Sequence, residues 1–415
     1  MDVPGHVGWP IIGDKSLKFY RDPHRFLDEN INQERSPLFA IRFLNRPTIF
    51  VCSNKGVQDV LNDEDNSFDL GYESFIGPMF DNNILSASNE EAKSSREILS
   101  ALLMGNCMST FEISLNRILE NKISRVLVGK PSCIYKFFKE LFSEVCLTLF
   151  LGIDFMESPE LAEKITTLTK EHWRGITAVP LNLQLSWTGT STYSKAHQAK
   201  SKLLEVIKSQ IEKAKDCFPG KLRDTPGLTG AEKNHHLLLF TTALIPKVLA
   251  SICTSLFLEI GKSEKTHLQA QANEDLEFIE YLVLETKRLH PPLLGGRRIA
   301  QKSCLVAGYK IPENYAVVFM YPSAHRDESV FENPHEFLPN RWSANPELKS
   351  KLFTYGLGPR ACIGERISWT ILKNTLQALL SKFVWTLCQG QDVSQKYLPV
   401  SRPKQNVLMT ASLKI

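Results

Sequence analysis

The chain has 415 residues, of which 43% are hydrophobic, and this is enough apolar material to bury a large core. The formal net charge is only +4 and no dense run of Lys and Arg is present, which argues against a nucleic-acid-binding protein. The nine cysteines are odd in number and form no CxxC pair, so neither a zinc site nor a secreted disulfide framework is supported.

The chain opens on a segment, residues 1–13, that Pro and Gly punctuate. It carries no secretory signal peptide, and we expect no apolar run in the chain to be long enough to span a bilayer. The opening segment fits either a natural soluble start or what remains after the loss of an anchor, and the sequence leaves both readings open.

Strand and helix patterns follow in order along the chain. Residues 38–52 alternate apolar and polar side chains on both sides of Asn45, which predicts two strands joined by a turn. From about residue 88 to residue 258 the apolar residues follow helical spacing almost throughout. Within this region, residues 236–260 carry almost no charge and predict one long helix that is buried on most sides.

A further helix is predicted over residues 274–290, because Pro291 and Pro292 stop a helical pattern there. Short strand-like pieces follow to about residue 318, and residues 384–415 also look strand-like. The sequence therefore predicts a mainly α fold with a minor β portion.

Cys362 lies in a glycine-rich loop, residues 355–364, that reads Tyr-Gly-Leu-Gly-Pro-Arg-Ala-Cys-Ile-Gly. The glycines let the backbone approach a flat ligand closely. Gly364 and the helix start after it direct N–H groups towards the sulfur, which favours the thiolate. A lone thiolate held in this way suits haem iron, where an axial Cys favours O–O cleavage.

Two further motifs place a carboxylate near arginines. Glu285 and Arg288 are three residues apart in the predicted helix and therefore share one face. Arg341 lies in a Pro-Asn-Arg-Trp sequence shortly before the cysteine loop. A carboxylate flanked by two guanidiniums can be buried with its charge compensated, and such a triad would lock the loop that presents Cys362.

These motifs together resemble the cytochrome P-450 superfamily of haem-thiolate enzymes. The family's cysteine loop reads Phe-Gly-x-Gly-x-Arg-x-Cys-x-Gly, and this chain departs from it only at Tyr355. Its Glu-x-x-Arg pair maps onto Glu285 and Arg288, and its third triad member onto Arg341. The resemblance implies a single haem domain over residues 1–415, with β-rich parts near 36–55 and 294–320 and a long central helix over the haem.

The resemblance also assigns the cofactor, haem b, and its ligands. Cys362 is expected to be the axial ligand of the iron. Other residues are expected to bind the porphyrin, with the arginines pairing to its propionates: Arg96, Arg298, Arg360, Tyr355, Gly356 and Gly364.

The predicted distal helix departs from the family pattern. The family usually carries an Ala/Gly-Gly-x-Asp/Glu-Thr run there, but residues 241–248 read Thr-Thr-Ala-Leu-Ile-Pro-Lys-Val, without an acid–alcohol pair. We expect Pro246 to kink this helix. Thr241 or Thr242 could hold a water in place of the missing pair, although both also fit as ordinary buried threonines.

Apolar residues in three segments are expected to line a pocket for a lipophilic substrate, although each also fits as plain core: Phe75, Ile76, Ala243, Leu244, Leu293 and Leu294. The segment from residue 188 to 204 resembles the branch that oxidises sterols, retinoids and terpenoids. The leading hypothesis is therefore a monooxygenase that inserts one atom of O2 into such a substrate. The missing acid–alcohol pair keeps two alternatives open: an isomerase or dehydratase that does not activate O2, and a non-catalytic haem protein that binds lipid or gas.

The resemblance implies partners as well. Electrons are expected from NADPH through a reductase or a ferredoxin, and the chain is expected to be a monomer in the cytoplasm or peripheral on the endoplasmic reticulum membrane, with no transmembrane segment. Basic residues around the cysteine loop indicate a docking face for an acidic redox partner or, equally, a solvated helix face: Lys351, Arg360, Arg366, Lys373 and Lys382.

Overall fold

The fold is known from a computed structural model, which describes residues 1–104, 107–176, 184–185, 189–215, 217–242 and 244–414. The side chains of residues 73–76, 107, 184–185 and 189–190 are outside this description. Most described residues lie in helices, and strands form the minor part, so the predicted mainly α fold is confirmed.

The helices are α1 Ser16–Arg21, α2 Pro23–Glu34, α3 Asn54–Asn62, α4 Glu73–Phe80, α5 Asn89–Met104, α6 Cys107–Ser124, α7 Ile134–Leu151, α8 Pro159–Ile176, α9 Thr192–Lys213, α10 Phe218–Asp224, α11 Gly230–Thr241, α12 Leu244–Ile260, α13 His267–Glu274, α14 Leu276–Leu289, α15 Tyr321–Ala324, α16 Arg341–Ala344 and α17 Glu365–Leu380. The strands are β1 Leu38–Phe43, β2 Arg46–Val51, β3 Phe68–Leu70, β4 Ser132–Cys133, β5 Gln184–Leu185, β6 Gly189–Thr190, β7 Gly295–Ala300, β8 Cys304–Val306, β9 Tyr309–Ile311, β10 Ala316–Met320, β11 Phe383–Leu387, β12 Gln395–Lys396, β13 Arg402–Pro403 and β14 Leu408–Leu413.

Two compact units make up the chain. The first comprises Met1–Gly71, Asp275–Cys362 and Ser394–Lys404, and the second comprises Tyr72–Glu274, Ile363–Val393 and Gln405–Ile415. Segments distant in sequence meet within each unit. The prediction of a single haem domain over the whole chain stays a prediction.

The first unit is built on a five-stranded sheet in the order β1-β2-β10-β7-β3. The predicted hairpin at residues 38–52 is confirmed, because β1 and β2 pair antiparallel from Leu38 opposite Val51 to Phe43 opposite Arg46. Leu44 and Asn45 make its turn with φ of 50° and 55°, the left-handed conformation that tight hairpins require. Apolar side chains cover the sheet and form the unit's core.

The second unit is mainly helical. The core around α7 and α12 contains Phe138, whose ring lies 5.0 Å from that of Phe257 in an edge-on contact. Phe257 in turn contacts Trp385 of β11, with ring centroids 5.4 Å apart. Strands β11 and β14 pair antiparallel with Trp385 opposite Ala411, so the strand-like C-terminal part of the chain closes this core.

The predicted helix ending before Pro291 is confirmed as α14. Its N-cap is Asp275, whose side chain accepts a hydrogen bond of 2.8 Å from the backbone N–H of Glu277. It ends at Leu289, and His290 leaves the helical conformation with φ −126° and ψ 61°. The residue before a proline disfavours the α region, which explains the end of the helix.

The long helix predicted over residues 236–260 is instead two consecutive helices, α11 and α12. Thr242 leaves the helical conformation with φ −65° and ψ 166°. In a continuous helix the ring of Pro246 would clash with the carbonyl of residue 242, four positions earlier, so the chain breaks there. Pro246 then falls in the first turn of α12, where its missing N–H costs no helical hydrogen bond.

The expectation about membrane-spanning length needs a correction. Among the described residues, Gly230–Ile260 is long and apolar enough to cross a bilayer by length and composition, and the bent pair Asn89–Met104 and Met108–Ser124 passes the same test together. However, 76% of the apolar window in Gly230–Ile260 is buried inside the protein. The core helix of a water-soluble protein has the same properties, so this is weak evidence of a span.

Candidate functional site

The cysteine loop is closed by its own backbone. The N–H of Cys362 donates to the carbonyl O of Tyr355 at 2.7 Å, and the N–H of Gly356 donates to the carbonyl O of Phe353 at 2.7 Å. A short 3-10 turn, Gly358–Arg360, lies between them. Among the eight cysteines whose side chains the structure describes, only Cys362 is exposed. The loop therefore presents one thiol on a defined turn.

Two glycines of the loop have the left-handed conformation, with φ of 71° at Gly356 and 63° at Gly358. A Cβ on Gly358 would lie 2.6 Å from the carbonyl O of Leu61 and 3.0 Å from that of Asn62, at the end of α3. The loop thus approaches another backbone more closely than any side chain permits. Gly364 is the N-cap of α17, with φ −94° and ψ 10°.

The carboxylate of Glu285 is the centre of a fully buried network in the first unit. Its Oε1 accepts hydrogen bonds from Nη2 of Arg288 at 2.7 Å and from Nε of Arg341 at 3.1 Å. Its Oε2 accepts from Nε of Arg288 at 3.0 Å. Glu285 and Arg288 have 0% exposure and Arg341 has 9%, so the structure brings the three sequence-predicted residues together in the interior.

Two donors to the same carboxylate did not emerge from sequence reasoning. The indole Nε1 of Trp342 donates to Oε2 at 3.0 Å, and the backbone N–H of Leu338 donates to Oε1 at 2.9 Å. Trp342 directly follows Arg341, and its adjacency to the arginine was the available signal. With these donors, both oxygens of the buried carboxylate have hydrogen-bond partners.

The arginines also fix the backbone around the network. Nη1 of Arg288 donates to the carbonyl O of His325 at 3.0 Å and to that of Pro334 at 2.6 Å. Nη1 of Arg341 donates to the carbonyl O of Glu332 at 2.6 Å. The network therefore holds the irregular segment between α15 and α16 in one conformation.

Two of the three predicted propionate arginines lie in the first unit. Arg298, in β7, is 8% exposed, and its only hydrogen-bond acceptor among the described residues is the carbonyl O of Arg297 at 3.2 Å. Arg360, from the cysteine loop, places Nη2 3.9 Å from Oδ1 of Asp69. Asp69 adjoins Leu70, the residue that pairs with Arg298 across β3 and β7. The third arginine, Arg96, is half-buried on α5 in the second unit.

These observations test whether the residues fit haem. A guanidinium has five N–H donors, and a nearly buried one with a single acceptor has donors left for a carboxylate ligand. An exposed thiol on a glycine turn leaves room for a flat ligand against the backbone. The donor set in the first unit therefore fits an iron porphyrin with its propionates.

The predicted distal threonines have backbone partners. Oγ1 of Thr241 donates to the carbonyl O of Leu237 at 2.7 Å, and Oγ1 of Thr242 donates to that of Leu239 at 3.0 Å. Oγ1 of Thr242 also accepts from the N–H of Leu244 at 3.3 Å, which satisfies one free donor at the start of α12. Both side chains are buried, as expected of structural threonines, and their role in chemistry stays a prediction.

The predicted pocket residues are only partly described. Leu294 is buried, whereas Leu244 and Leu293 are half-buried. The backbone of Phe75 and Ile76 lies in α4, but their side chains are outside the described part of the structure, as is all of Ala243.

One protein-family model matches most of the chain. The family model "Cytochrome P450" matches residues 3–242 and 257–411. The unmatched residues, 243–256, begin within the segment 241–248, in which the acid–alcohol pair is missing.

Individual relatives are distant but similar along nearly the whole chain. "Putative cytochrome P450 120" of Synechocystis sp. is 23% identical and covers 97% of this chain and 95% of its own. "Beta-amyrin 11-oxidase" of Glycyrrhiza uralensis is 22% identical, covering 98% and 89%. "Cytochrome P450 26A1" of Gallus gallus is 23% identical, covering 97% and 89%. The solved structure "Retinoic acid bound cyanobacterial CYP120A1" has a TM-score of 0.86 at 20% identity and covers 100% of this chain and 99% of that one.

Proposed function

The chain belongs to the cytochrome P450 family of haem-thiolate monooxygenases, and from that membership we propose that it inserts one atom of dioxygen into a lipophilic substrate of the sterol, retinoid or terpenoid kind. The observation that carries the proposal is the exposed thiol of Cys362 on its glycine turn. The substrate class is supported by relatives whose names state a retinoid or terpenoid, namely the retinoic acid bound structure and the β-amyrin oxidase.

In this proposal, Cys362 would supply the thiolate that holds the iron of haem b. When bound, haem would supply the redox-active iron for the chemistry of dioxygen. Arg298 and Arg360 would pair with the propionates, Arg96 would add a third contact, and Tyr355, Gly356 and Gly364 would hold the porphyrin by backbone and ring contacts. The buried Glu285 network would keep the segment between α15 and α16 rigid. This segment comes before the cysteine loop, so its rigidity would help to hold the thiol in place.

A second candidate function follows from the segment after Thr241. Residues 241–248 contain no Asp or Glu, and the hydroxyls of Thr241 and Thr242 donate to backbone carbonyls. Proton delivery by an acid–alcohol pair is therefore unsupported in this chain. A haem-thiolate isomerase or dehydratase, which needs no such delivery to dioxygen, is the alternative that this observation favours.

Electron supply distinguishes the two candidates. For the monooxygenase we propose that electrons come from NADPH through a reductase or a ferredoxin, and that the chain works as a monomer in the cytoplasm or at the surface of the endoplasmic reticulum. The alternative reaction consumes no external electrons, so its rate would not depend on NADPH.

The experiment is isotope incorporation by the haem-loaded chain. Labelled dioxygen, NADPH and a reductase are supplied with a panel of sterols, retinoids, terpenes and fatty acids, and products are analysed by mass spectrometry. We expect label in a product from the wild type and none from Cys362→Ser. A product without label, formed also when NADPH is omitted, would support the alternative instead. Substrate-induced spectral shifts without any product would indicate a haem protein that binds lipid without turnover.

A further inference from the structure

A fully buried imidazole lies between the Glu285 network and the cysteine loop. His325 follows α15 directly and is 0% exposed. Its ring stacks on that of Tyr321, with centroids 5.4 Å apart and planes at 3°. Nε2 accepts a hydrogen bond of 3.0 Å from the backbone N–H of Phe353. An imidazole nitrogen that accepts carries no proton, so the proton of His325 is on Nδ1.

The surroundings keep this ring neutral. Three cationic side chains act on His325: Arg288 and Lys287 from α14, and Arg326 from the turn after α15. Burial, followed by these cations, lowers the pKa of His325 well below its usual value. Because Nδ1 already carries the proton, a second proton would go to Nε2, where it would face the N–H of Phe353 instead of an acceptor. The ring is therefore an acceptor for Phe353 at neutral pH.

The backbone carbonyl and the ring of His325 each make a hydrogen bond, one to the Glu285 network and one to the segment before the cysteine loop. Its carbonyl O accepts from Nη1 of Arg288 at 3.0 Å, which connects it to the Glu285 carboxylate. Phe353, whose N–H the ring accepts, is 0% exposed. The carbonyl O of Phe353 then accepts from the N–H of Gly356, where the left-handed turn of the loop begins. A continuous chain of hydrogen bonds thus extends from the buried carboxylate to the first glycine of the loop.

We propose that His325 is a positioning residue for Cys362: by accepting the Phe353 N–H, the neutral ring fixes the start of the loop and thereby the place of the thiol. The proposal rests on the proposed function, in which Cys362 is the axial ligand. Without this acceptor, a buried backbone N–H is left unsatisfied, and the loop gains a conformation in which Phe353 moves towards another partner.

Two substitutions separate the acceptor from the volume of the ring. His325→Phe keeps an aromatic ring that stacks on Tyr321 but has no acceptor. His325→Gln places an amide oxygen near the position of Nε2 and restores the acceptor without a titratable group. The variants are first compared by thermal unfolding, so that a general loss of the fold is recognised.

The first readout is the absorption spectrum of the haem-loaded, reduced carbon-monoxide complex, which reports whether the thiolate is bound. We expect His325→Phe to convert a large part of the complex to the form without thiolate and His325→Gln to retain it. We also expect the wild type to lose the thiolate form on acidification at a higher pH than His325→Gln, because only the histidine can be protonated. Equal thiolate fractions and equal pH profiles in all three proteins would overturn the proposal, as would equal loss in both variants when they melt like the wild type.

The second readout needs no haem. Hydrogen exchange of the peptide that contains Phe353 is measured in the haem-free chain, where we expect exchange about tenfold faster in His325→Phe than in His325→Gln, the factor for one lost hydrogen bond. Unchanged exchange would refute the acceptor role. If the wild type never shows a thiolate spectrum although haem is bound, the proposed function fails, and the exchange measurement still decides the role of His325.

Discussion

The indole of Trp342 and the carboxylate of Glu285 are joined by a hydrogen bond of 3.0 Å between Nε1 and Oε2, and both side chains have 0% exposure. The same oxygen accepts from Nε of Arg288, so the tryptophan is one of the groups that compensate the buried carboxylate. A tryptophan in this position contributes a polar contact in addition to its volume.

Trp342→Phe is therefore expected to destabilise the protein more than an ordinary Trp→Phe change. The matched control is Trp385→Phe, because Trp385 is also buried but its Nε1 has no hydrogen-bond partner among the described residues. The two variants lose similar volume, so the difference in their free energies of unfolding, about 1–3 kcal/mol, reports the bond to the charged carboxylate. Urea unfolding measures both, and equal losses would show that the indole N–H is not important.

Gly358→Ala is expected to distort the cysteine loop. The new Cβ would lie 2.6 Å from the carbonyl O of Leu61, and the residue would also keep a φ of 63°. The control is Gly308→Ala, where φ is 82° but nothing lies within 4 Å of the added Cβ. In both variants, an alanine in the left-handed conformation is expected to lower the free energy of unfolding by about 1 kcal/mol.

Only Gly358→Ala adds a clash with the backbone, so only this variant should also bind less haem. Haem content after purification, together with thermal unfolding, measures the difference between the two alanine variants. Similar haem content in both would mean that the close approach of the loop to α3 has no role in the site.

Asp81 connects the end of α4 to other helices of the second unit. Its Oδ1 lies 2.7 Å from Nζ of Lys200 in α9, and its Oδ2 lies 3.4 Å from Nε2 of His235 in α11. Nζ of Lys200 also donates to the carbonyl O of Pro78 at 3.1 Å. Lys200 is 9% exposed, so the Asp81 carboxylate is the partner of a buried ammonium group.

Asp81→Asn is expected to loosen α4, the helix that carries the predicted pocket residues Phe75 and Ile76. We predict faster hydrogen exchange of the α4 amides and weaker binding of lipophilic ligands. Asp224→Asn provides the control, because it breaks the exposed ion pair with Arg223 and should change neither property. Unchanged hydrogen exchange of the α4 amides in Asp81→Asn would show that the ion pairs of Asp81 do not stabilise α4.

The pH dependence of stability is expected to include a contribution from His172. Its Nε2 lies 2.8 Å from the carbonyl O of Met79, and burial lowers its pKa to about 4. In the unfolded chain the pKa is about 6.5, so between these values the unfolded state binds a proton that the folded state does not. The contribution of His172 to the free energy of unfolding is therefore fully present above about pH 6.5. It is lost, by up to about 3 kcal/mol, as the pH falls towards 4.

His172→Gln tests this contribution, because an amide can donate to Met79 without titrating. Urea unfolding at several pH values should show a shallower acid decline in the variant than in the wild type. Parallel declines would mean that other groups account for the acid sensitivity.

The sequence is most informative where function depends on neighbouring residues. The loop around Cys362 and the pair Glu285 and Arg288 are set by short spacings, and the sequence alone is enough to recognise them. Pro246 predicts a kink in the helix, but the proline ring clashes with the carbonyl four residues earlier. The structure therefore breaks the helix at Thr242 and not at the proline itself. His325 could not be found from the sequence, since its contacts with Arg288 and Phe353 connect segments that only the fold brings together.

The assignment of Cys362 as axial thiolate is tested most directly by the absorption spectrum of the reduced carbon-monoxide complex in three haem-loaded proteins. These are the wild type, Cys362→Ser and, as a control, Cys304→Ser, since burial raises the pKa of Cys304 and disfavours its thiolate. We predict the thiolate spectrum in the wild type and in Cys304→Ser, and its loss in Cys362→Ser. A thiolate spectrum that persists in Cys362→Ser, or that never forms in wild-type protein with haem bound, would contradict the assignment.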